Sequence, residues 1–390
     1  MSRVRYGIIG IGRMGSIHAT RLLGGADSNG VLTAVCDISD ERIDWAKKSL
    51  KGVEVFTRHE DLISSGSVDA VVVAAPHYDH PIMGMQVLNA GKHLLIEKPA
   101  GVYTQNVRQL NELAESLPSQ VFGIMYNQRT NRLYRRAREL VLSGELGELK
   151  RINWIVTNWY RTQAYYDMGG WRGSWGGEGG GVLMNQAPHQ LDLFQWLGGM
   201  PIAVRGSCRV GVGRDICVEN DVTFFTRYEN GATGVFVTST HDAPGTNRLE
   251  MHGDGGRLVI EQDGMRETLL FNRLHEPESR MNGQMVRISP MPHMKTKVIK
   301  DSTGMIRNAY SLATFHQHTC IFRNFSRAVL YGEPLMAPGT EGIKGLTLAN
   351  AAYLSSWLGE EITLPLNEAF YKDRLDALIA QEKEAALPPV

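Results

Sequence analysis

The sequence has few cysteines, and they lie far apart. Its 390 residues include four, Cys36, Cys208, Cys217 and Cys320, and no two form a C-x-x-C pair. We therefore expect no disulfide framework and no bound metal. No stretch reaches 18 consecutive apolar residues, and the start of the chain lacks the apolar centre of a signal peptide. This favours a soluble cytoplasmic protein with no membrane partner.

The chain also lacks an excess of charge of either sign. Its 41 Lys and Arg residues balance 41 Asp and Glu residues, so no global field favours a nucleic acid as partner. Glycine, in contrast, is abundant, with 42 residues, which indicates many tight turns. The length allows two domains with a large core.

Residues 6–18, YGIIGIGRMGSIH, join a short apolar run to three glycines and the start of a helix. The run has the composition of a buried parallel strand, and Gly10, Gly12 and Gly15 follow it with the spacing G-x-G-x-x-G. In a dinucleotide-binding turn these glycines permit the tight turn, the approach of a pyrophosphate and the packing of helix on strand, respectively. The N–H groups at the start of the helix then hold the phosphates. The structural alternative is an ordinary strand-to-helix loop.

A second apolar strand supports the dinucleotide interpretation. Residues 32–36 are followed by Asp37, which lies 22 positions after Gly15. An acidic residue near this position binds a ribose 2′-hydroxyl in dinucleotide-binding domains. Asp37 would repel the 2′-phosphate of NADP, so we predict NAD as cofactor. Arg42 is near enough in sequence to keep NADP as a less favoured alternative.

Two further strands end in polar residues. Residues 68–75 read as a central parallel strand, and His77 and His80 follow its carboxyl end, the edge where ligands bind in an open α/β sheet. Alternatively, His80 merely caps a helix over residues 81–90.

The strand at residues 93–96 is followed by Glu97, Lys98 and Pro99. A lysine at this end of a parallel strand points into the cofactor crevice, where it can donate or accept a proton. Elsewhere a lysine is often only a solvated charge.

The second half of the chain contains runs of alternating polarity separated by turns such as E-N-G and G-D-G-G, which predict a meandering antiparallel sheet. These runs are residues 149–160, 203–212, 221–228, 231–240, 249–253 and 257–261. Helices can cover one face of such a sheet and a second subunit the other, so we expect a homo-oligomer, a dimer or tetramer.

Aromatic residues are concentrated within and just after the first of these runs. They are Trp154, Trp159, Tyr160, Tyr165, Tyr166, Trp171 and Trp175. Aromatic faces suit the C–H surfaces of sugar rings, and Arg161, Asp167 and Arg172 could bind hydroxyls. The alternative is ordinary packing of the sheet.

Residues 179–181 are three glycines that bring the backbone close to a bulky group. Pro188 is acceptable only in the first turn of a helix, so that helix should begin near residue 186 or 187. His189 and Asp192 then share a face. Imidazole titrates near neutral pH, so His189 could exchange a hydroxyl proton, although a lone histidine is more often structural.

Five segments, GIGRMG, AAPHYDHP, LLIEKPAG, GIMYNQR and GGGVLMNQAPHQLDLFQWLGG, occur in this order, and together they resemble the Gfo/Idh/MocA family of glucose-fructose oxidoreductases and inositol dehydrogenases. The C-terminal segment EGIKGLTLANAAYLSSWLGEEITLPL is also similar. The resemblance implies an α/β Rossmann domain followed by an α+β domain with an open-faced, mainly antiparallel sheet. It also implies NAD(P)-dependent oxidation or reduction of sugars, inositols and related polyols, and it favours His189 as catalytic.

One position departs from the resemblance. Inositol dehydrogenase-like members carry an aspartate four residues before the histidine, where this chain has Asn185. Asparagine cannot ionise, so it can orient His189 or hold a substrate hydroxyl but cannot relay a proton. Gln186 and Asp192 are the nearest alternatives.

These observations predict hydride transfer between NAD and a secondary alcohol of a sugar, glycoside or cyclitol. Lys98 stabilises the reacting oxygen and His189 accepts the proton. A glucose-like ring oxidised at carbon 3 is favoured, with an inositol 2-dehydrogenase as alternative. A redox-neutral enzyme that cleaves glycosides with recycled, bound NAD and a non-catalytic sensor also remain open.

The predicted domains are residues 1–126 for the dinucleotide, 127–366 for substrate and oligomerisation, and 367–390 as a C-terminal helix and tail. We predict cofactor contacts at Gly10, Gly12, Arg13, Met14, Gly15, Asp37, Ala75, His77, His80, Glu97, Lys98 and Asn127. We predict substrate contacts at Lys98, Tyr126, Tyr160, Arg161, Tyr165, Trp171, Arg172, Asn185, Gln186 and His189.

Overall fold

A computed structural model describes residues 3–264, 266–274, 276–281, 294–301 and 307–385. The chain forms two compact units, Met1–Thr130 with Thr314–Leu346, and Asn131–Ala313 with Thr347–Val390. This division differs from the predicted domains, because residues 314–346 belong to the first unit. Residues 386–390 of the predicted tail lie outside the described residues.

The first unit is built on a sheet of six parallel strands. They are β1 (Val4–Ile9), β2 (Gly30–Cys36), β3 (Glu54–Phe56), β4 (Ala70–Val73), β5 (His93–Ile96) and β6 (Phe122–Ile124). The connecting helices are α1 (Arg13–Leu23), α2 (Asp40–Ser49), α3 (His59–Ser64), α4 (Asp79–Asn89) and α5 (Thr104–Ser116). The order across the sheet is β3-β2-β1-β4-β5-β6. This is a doubly wound sheet whose strand order reverses between β1 and β4, which places the ligand-binding crevice at their carboxyl ends.

Contacts of Tyr6 in β1 explain why residues 314–346 belong to this unit. The Tyr6 side chain is fully buried, and its ring meets that of Phe322 edge to face, with centroids 5.6 Å apart. The Tyr6 hydroxyl lies 2.6 Å from Oγ of Ser326, which in turn donates to the Asp27 carboxylate at 2.5 Å. Residues distant in sequence thus complete the core beside β1.

The second unit contains a nine-stranded sheet. Its strands are β7 (Leu149–Val156), β8 (Ala203–Val210), β9 (Glu219–Arg227), β10 (Thr233–Ser239), β11 (Asn247–Gly253), β12 (Gly256–Asp263), β13 (Arg266–Leu274), β14 (Met294–Asp301) and β15 (Ile362–Thr363). Further α-helices in the described residues are α6 (Arg132–Leu142), α7 (Gln163–Tyr166), α8 (Val182–Asn185), α9 (Pro188–Gly198), α10 (Glu278–Met281), α11 (Arg307–Tyr331), α12 (Gly342–Leu358) and α13 (Glu368–Ala385).

This sheet is mainly antiparallel but is not a simple meander. The order is β14-β13-β12-β11-β7-β10-β9-β8-β15, so β7 lies between β11 and β10. The β7–β10 pair is parallel, with Trp154 opposite Phe236. The predicted meander is wrong at this point, because the first strand of the unit is inserted between two strands that follow it in the chain.

The two faces of the sheet differ. On one face, Phe194 of α9 packs edge to face against Phe224 and Phe236, whose stacked rings have centroids 5.0 Å apart. Alternate residues of a strand point to the opposite face, and there Ile155 and Phe225 are 42% and 40% exposed. The sheet is therefore covered on one face and carries exposed apolar side chains on the other.

Candidate cofactor and substrate sites

The three glycines after β1 have distinct roles in the first unit. Gly10 has a φ of +82°, and a Cβ there would lie 2.6 Å from the carbonyl oxygen of Ala74. A Cβ on Gly15 would lie 1.8 Å from the carbonyl oxygen of Gly10, whereas a Cβ on Gly12 would meet nothing within 4 Å. Gly10 and Gly15 are thus required by the backbone itself, and Gly12 borders open space of the kind that a pyrophosphate needs.

Helix α1 begins directly at this open space, with Gly12 as its N-cap residue, followed by Arg13 and Met14. Among the residues that the structure describes, no side chain caps this helix start. The first N–H groups of a helix have no partner within the helix and attract anions. Together with the gap at Gly12, this start fits the phosphates of a dinucleotide.

Asp37 follows β2 and is held against the same turn. Its carboxylate accepts hydrogen bonds from the backbone N–H of Ile11 at 2.8 Å and of Ser39 at 2.9 Å. Arg42 donates from Nε to the Ile11 carbonyl at 2.8 Å and lies over the Trp45 ring, 4.6 Å from its centroid. Both residues that bear on the choice between NAD and NADP therefore lie at the glycine turn.

His80 ties together the ends of two central strands. Its Nδ1 lies 2.7 Å from the carbonyl oxygen of Pro99, and its Nε2 lies 2.8 Å from that of Ala75. Burial lowers the pKa of His80, and these hydrogen bonds act in the opposite direction. The alternative that His80 caps a helix is wrong, because α4 begins at Asp79 with His80 inside it and no side-chain cap. His77, also buried, lies beside it, with ring centroids 6.1 Å apart.

Glu97, after β5, is buried and ionised. Burial favours its neutral form, but a 2.6 Å hydrogen bond with His18 and electrostatic interactions with His18, His318 and Lys98 outweigh burial and lower the pKa of Glu97 to about 2. Its other carboxylate oxygen accepts from the Lys98 backbone N–H at 3.1 Å. Lys98 itself is half-buried. The lysine therefore follows an anionic residue that is fixed in place from α1, a support that sequence reasoning missed.

Two other predicted contact residues are buried in the first unit. The Tyr126 hydroxyl donates to the Gly342 carbonyl at 3.4 Å, and the Asn127 amide donates to the Gln317 side chain at 3.1 Å. Tyr126 and Asn127 are 2% and 1% exposed. Their predicted contacts with ligands stay predictions.

In the second unit, the aromatic residues fall into two groups. Trp154 and Trp175 are buried; Trp154 donates to Asn247 at 3.0 Å, and Trp175 packs edge to face on Tyr353 with centroids 5.3 Å apart. For these two tryptophans the packing alternative is correct. Tyr160 is 47% exposed.

Tyr165 and Trp171 are half-buried and are flanked by arginines. The guanidinium carbons of Arg161 and Arg172 lie 5.0 and 4.6 Å from the Tyr165 ring centroid, and that of Arg172 lies 4.5 Å from the Trp171 ring. This arrangement presents aromatic and cationic groups side by side.

Four predicted substrate residues meet at one hydroxyl group. The Tyr165 oxygen is approached by Nη1 of Arg172 at 2.7 Å, by Nε2 of Gln186 at 3.0 Å and by Nδ2 of Asn185 at 3.3 Å. The structure thus assembles residues from three separate segments into one polar cluster, which we call the Tyr165 cluster. The side-chain amide of Asn185 also donates to Glu178, a residue that sequence reasoning did not nominate.

His189 is the second residue of α9, after Pro188 at the first helical position, as predicted. Its side chain is half-buried. Asp192, which we considered as a substitute for a carboxylate at position 185, is buried and accepts from Gln195 at 2.9 Å within the same helix.

The glycine segment before α8 is fixed by a buried carboxylate. Glu219 accepts from the backbone N–H of Gly181 at 2.8 Å, from that of Leu183 at 3.0 Å and from the Tyr353 hydroxyl at 2.7 Å. Burial raises the pKa of Glu219 to about 7, although these hydrogen bonds oppose the shift. The predicted close approach of glycines 179–181 to a bulky group is confirmed, since a Cβ on Gly180 would lie 2.3 Å from the Tyr353 oxygen.

Within the described part of the chain, no group of three His, Cys, Asp or Glu side chains could hold a metal ion. No helix of the described residues is long and apolar enough to cross a bilayer.

Comparison with known proteins identifies both units. Residues 4–124 match the model of an oxidoreductase family with an NAD-binding Rossmann fold, and residues 134–259 match that of the GFO/IDH/MocA C-terminal domain. The chain is 25% identical to the myo-inositol 2-dehydrogenase of Thermotoga maritima over 374 residues, covering 94% of this chain and 99% of that protein. It is 28% identical to the inositol 2-dehydrogenase of Corynebacterium glutamicum over 196 residues, 50% of this chain and 54% of that protein.

Solved structures share the fold. The WlbA dehydrogenase from Bordetella pertussis, in complex with NADH and UDP-GlcNAcA, has a TM-score of 0.74 at 23% identity, covering 94% of this chain and 100% of that one. A levoglucosan dehydrogenase in complex with NADH has a TM-score of 0.76 at 17% identity, covering 93% of this chain and 100% of that one. The glycine turn, the sheet topology and both family models agree: the chain belongs to the Gfo/Idh/MocA family of oxidoreductases, with NAD as its cofactor.

Proposed function

We propose that this oxidoreductase transfers a hydride between NAD and a secondary alcohol of a sugar, glycoside or cyclitol. The observation that carries the proposal is the Tyr165 cluster, in which Arg172, Gln186 and Asn185 converge on one hydroxyl within 2.7–3.3 Å. Several fixed polar groups beside aromatic surface suit a ligand that carries several hydroxyls on a ring.

We propose catalytic roles for Lys98 and His189. NAD supplies the nicotinamide carbon that exchanges the hydride with the substrate. The Lys98 ammonium hydrogen-bonds the reacting oxygen and stabilises the charge that develops there. His189 accepts the hydroxyl proton, since a neutral imidazole is a base near neutral pH.

Within the substrate class, we favour a glucose-like ring oxidised at carbon 3. The exposed Tyr160 and the half-buried Tyr165 and Trp171 support this choice, because flat aromatic faces bind the C–H surface of such a ring. The alternative is an inositol 2-dehydrogenase, which the myo-inositol 2-dehydrogenase of Thermotoga maritima supports through its match along nearly the whole chain.

A panel of glucosides, free sugars and inositols, followed by nicotinamide absorbance, tests the proposal. We expect turnover with glucosides that Lys98→Met lowers by about 100-fold or more. Faster turnover with inositols would favour the alternative. Release of sugar from a glycoside without net NADH would instead identify a redox-neutral enzyme that recycles bound NAD. If Lys98→Met leaves turnover intact, the catalytic assignment fails.

We also propose a homo-oligomer, a dimer or tetramer, in the cytoplasm. The exposed Ile155 and Phe225 on the uncovered face of the second sheet support an interface there, and the four free cysteines are consistent with a reducing compartment. Light scattering that reports only monomer would refute the oligomer.

A further inference from the structure

Glu178 is a buried carboxylate to which the proposed reaction gives no role. Its side chain is almost fully buried, at 1% residue exposure, within the glycine-rich segment before α8. One oxygen accepts from the Gly173 backbone N–H at 2.9 Å, and the other lies 3.8 Å from Nη1 of Arg172. A buried carboxylate is tolerated only with such partners, so its position is closely defined.

The same carboxylate determines which way the Asn185 amide points. Asn185 donates from Nδ2 to Oε1 of Glu178, and Nδ2 also lies 3.3 Å from the Tyr165 oxygen. A carboxylate only accepts hydrogen bonds, so the NH₂ side of the amide must face Glu178, and its carbonyl oxygen points away from it. Glu178 thereby determines that the Asn185 side chain presents a hydrogen-bond acceptor on the side that faces away from Glu178.

Glu178 also restrains the cation of the Tyr165 cluster. Arg172 Nη1 lies between the Glu178 carboxylate at 3.8 Å and the Tyr165 oxygen, to which it donates at 2.7 Å. Attraction to a buried carboxylate limits the orientations of a long side chain. One carboxylate therefore holds two of the three groups that approach the Tyr165 hydroxyl.

We infer that Glu178 is a positioning residue for the substrate. Through Asn185 and Arg172 it fixes the amide oxygen and the Tyr165 hydroxyl against which the sugar hydroxyls bind. It also supplies negative charge next to position 185, where the residue itself cannot ionise. This inference rests on the proposed function, because it assigns Glu178 a role at the same substrate site.

The competing role is purely structural, since the bond to Gly173 also helps to fold the glycine segment. The two roles differ in what a substitution changes. A folding role alters the stability of the protein, whereas a positioning role alters sugar binding through Asn185 in particular.

The test is a double-mutant cycle with Glu178→Gln and Asn185→Ala. We expect Glu178→Gln to raise the KM for the sugar about tenfold, the order expected when a buried charged hydrogen bond is lost, with a smaller change in kcat. Asn185→Ala should have a similar effect. The double variant should raise the KM by less than the product of the two single effects, because Glu178 acts partly through Asn185 and partly through Arg172. The Kd for NADH, followed by fluorescence, should not change.

Glu382→Gln is the matched control. Glu382 accepts from the backbone N–H groups of Trp175 at 3.0 Å and Gly176 at 2.9 Å, so it holds the same segment without contacting Asn185. We expect this variant to lower the melting temperature while leaving the sugar KM within about twofold, consistent with loss of a partly exposed contact. An equal rise in KM in both variants would overturn the inference in favour of a folding role.

The exchange variant Glu178→Gln/Asn185→Asp covers the case in which Glu178→Gln does not fold. It keeps one carboxylate and one amide in contact, and we expect it to recover most of the sugar affinity. Additive effects of Glu178→Gln and Asn185→Ala, or an exchange variant as weak as Glu178→Gln, would overturn the inference alone. A wild-type protein that neither binds nor oxidises any sugar of the panel would overturn the proposed function and this inference with it.

Discussion

Residues 10–15 and residues 176–181 are both rich in glycine, but their backbone N–H groups have different binding partners. In the first, Gly12 borders open space and, among the described residues, no side chain caps the helix that follows. In the second, the backbone N–H groups of Gly176 and Gly181 are bound by Glu382 and Glu219. The first segment binds the Asp37 carboxylate through the Ile11 N–H but leaves the N–H groups at the start of α1 for a ligand, whereas the second binds carboxylates of its own chain at both ends.

This difference teaches that glycine content alone says little about ligand binding. Both segments need glycine for close approach, since a Cβ on Gly15 would lie 1.8 Å and one on Gly181 1.9 Å from a backbone oxygen. What separates them is the destination of their N–H groups. A segment whose backbone N–H groups already have partners in the protein acts as a rigid support. Residues 176–181 support Glu178 and the start of α8 in this way.

The largest expected effect comes from Gly181→Ala. The added Cβ would meet the backbone oxygen of Glu219, which cannot move without disturbing β9. We expect the free energy of unfolding of the protein to fall by about 3 kcal/mol or more, measured by urea denaturation. NADH affinity of the folded fraction should be unchanged. If Gly181→Ala had the same free energy of unfolding as wild type, residues 176–181 would not be the tightly packed support described above.

The pH dependence of stability tests the carboxylate that holds this segment. Burial raises the pKa of Glu219 to about 7 from its ordinary value of 4.5, so the folded protein retains a proton that the unfolded chain releases between these values. Stability from this group is complete below pH 4.5 and is lost as the pH rises through 7, by about 3 kcal/mol. Glu219→Gln should flatten this slope in urea denaturation from pH 5 to 8.

Tyr353→Phe keeps the Glu219 carboxylate and changes only its pKa. The Tyr353 hydroxyl donates to Glu219 and lowers its pKa, so its removal should raise that pKa further and extend the loss of stability to higher pH. Identical pH slopes in wild type, Glu219→Gln and Tyr353→Phe would show that Glu219 does not titrate in this range.

Gly12→Ala tests the first of the two glycine-rich segments, residues 10–15. The added Cβ meets nothing within 4 Å in the protein, so stability should change by less than about 1 kcal/mol. It would, however, occupy the space of a pyrophosphate, and we expect the Kd for NADH to rise about 10–100-fold. Fluorescence titration measures this effect. An unchanged Kd would show that the phosphates do not approach Gly12.

The smallest expected effect concerns the choice of cofactor. Asp37→Ser removes a negative charge beside the glycine turn and leaves Arg42, so the preference for NAD over NADP should narrow by about tenfold. Arg42→Ala should shift the preference the other way. Steady-state kinetics with both cofactors checks the pair. If the preference for NAD over NADP were the same in Asp37→Ser as in wild type, Asp37 would not be the residue that binds the ribose.

Local patterns predicted much of this fold. The strands predicted at residues 32–36, 68–75 and 93–96 begin and end within two residues of β2, β4 and β5, because buried parallel strands are short apolar runs. Pro188 likewise indicated the start of α9. Glycine spacing and Asp37 pointed to the cofactor turn from sequence alone.

The failures are contacts between residues far apart in sequence. Periodicity cannot show that β7 pairs with β10, or that Phe322 and Ser326 pack on Tyr6. For the same reason His18 beside Glu97 was missed. Glu178 and Asn185 are only seven residues apart, but the glycine segment between them has no periodicity that would place the two side chains together. The only signal for Glu178 was a single carboxylate within the run GGEGGG, where a charged residue between glycines needs a partner.

The most direct test of the central claim, that this chain moves a hydride from a ring alcohol to NAD, is isotope transfer. The protein would be incubated with NAD and a glucoside carrying deuterium at carbon 3, and the reduced cofactor analysed by mass spectrometry. We predict NADH that carries one deuterium from the sugar, formed by wild type and not by Lys98→Met. Unlabelled NADH, or sugar consumed without any NADH, would contradict the account.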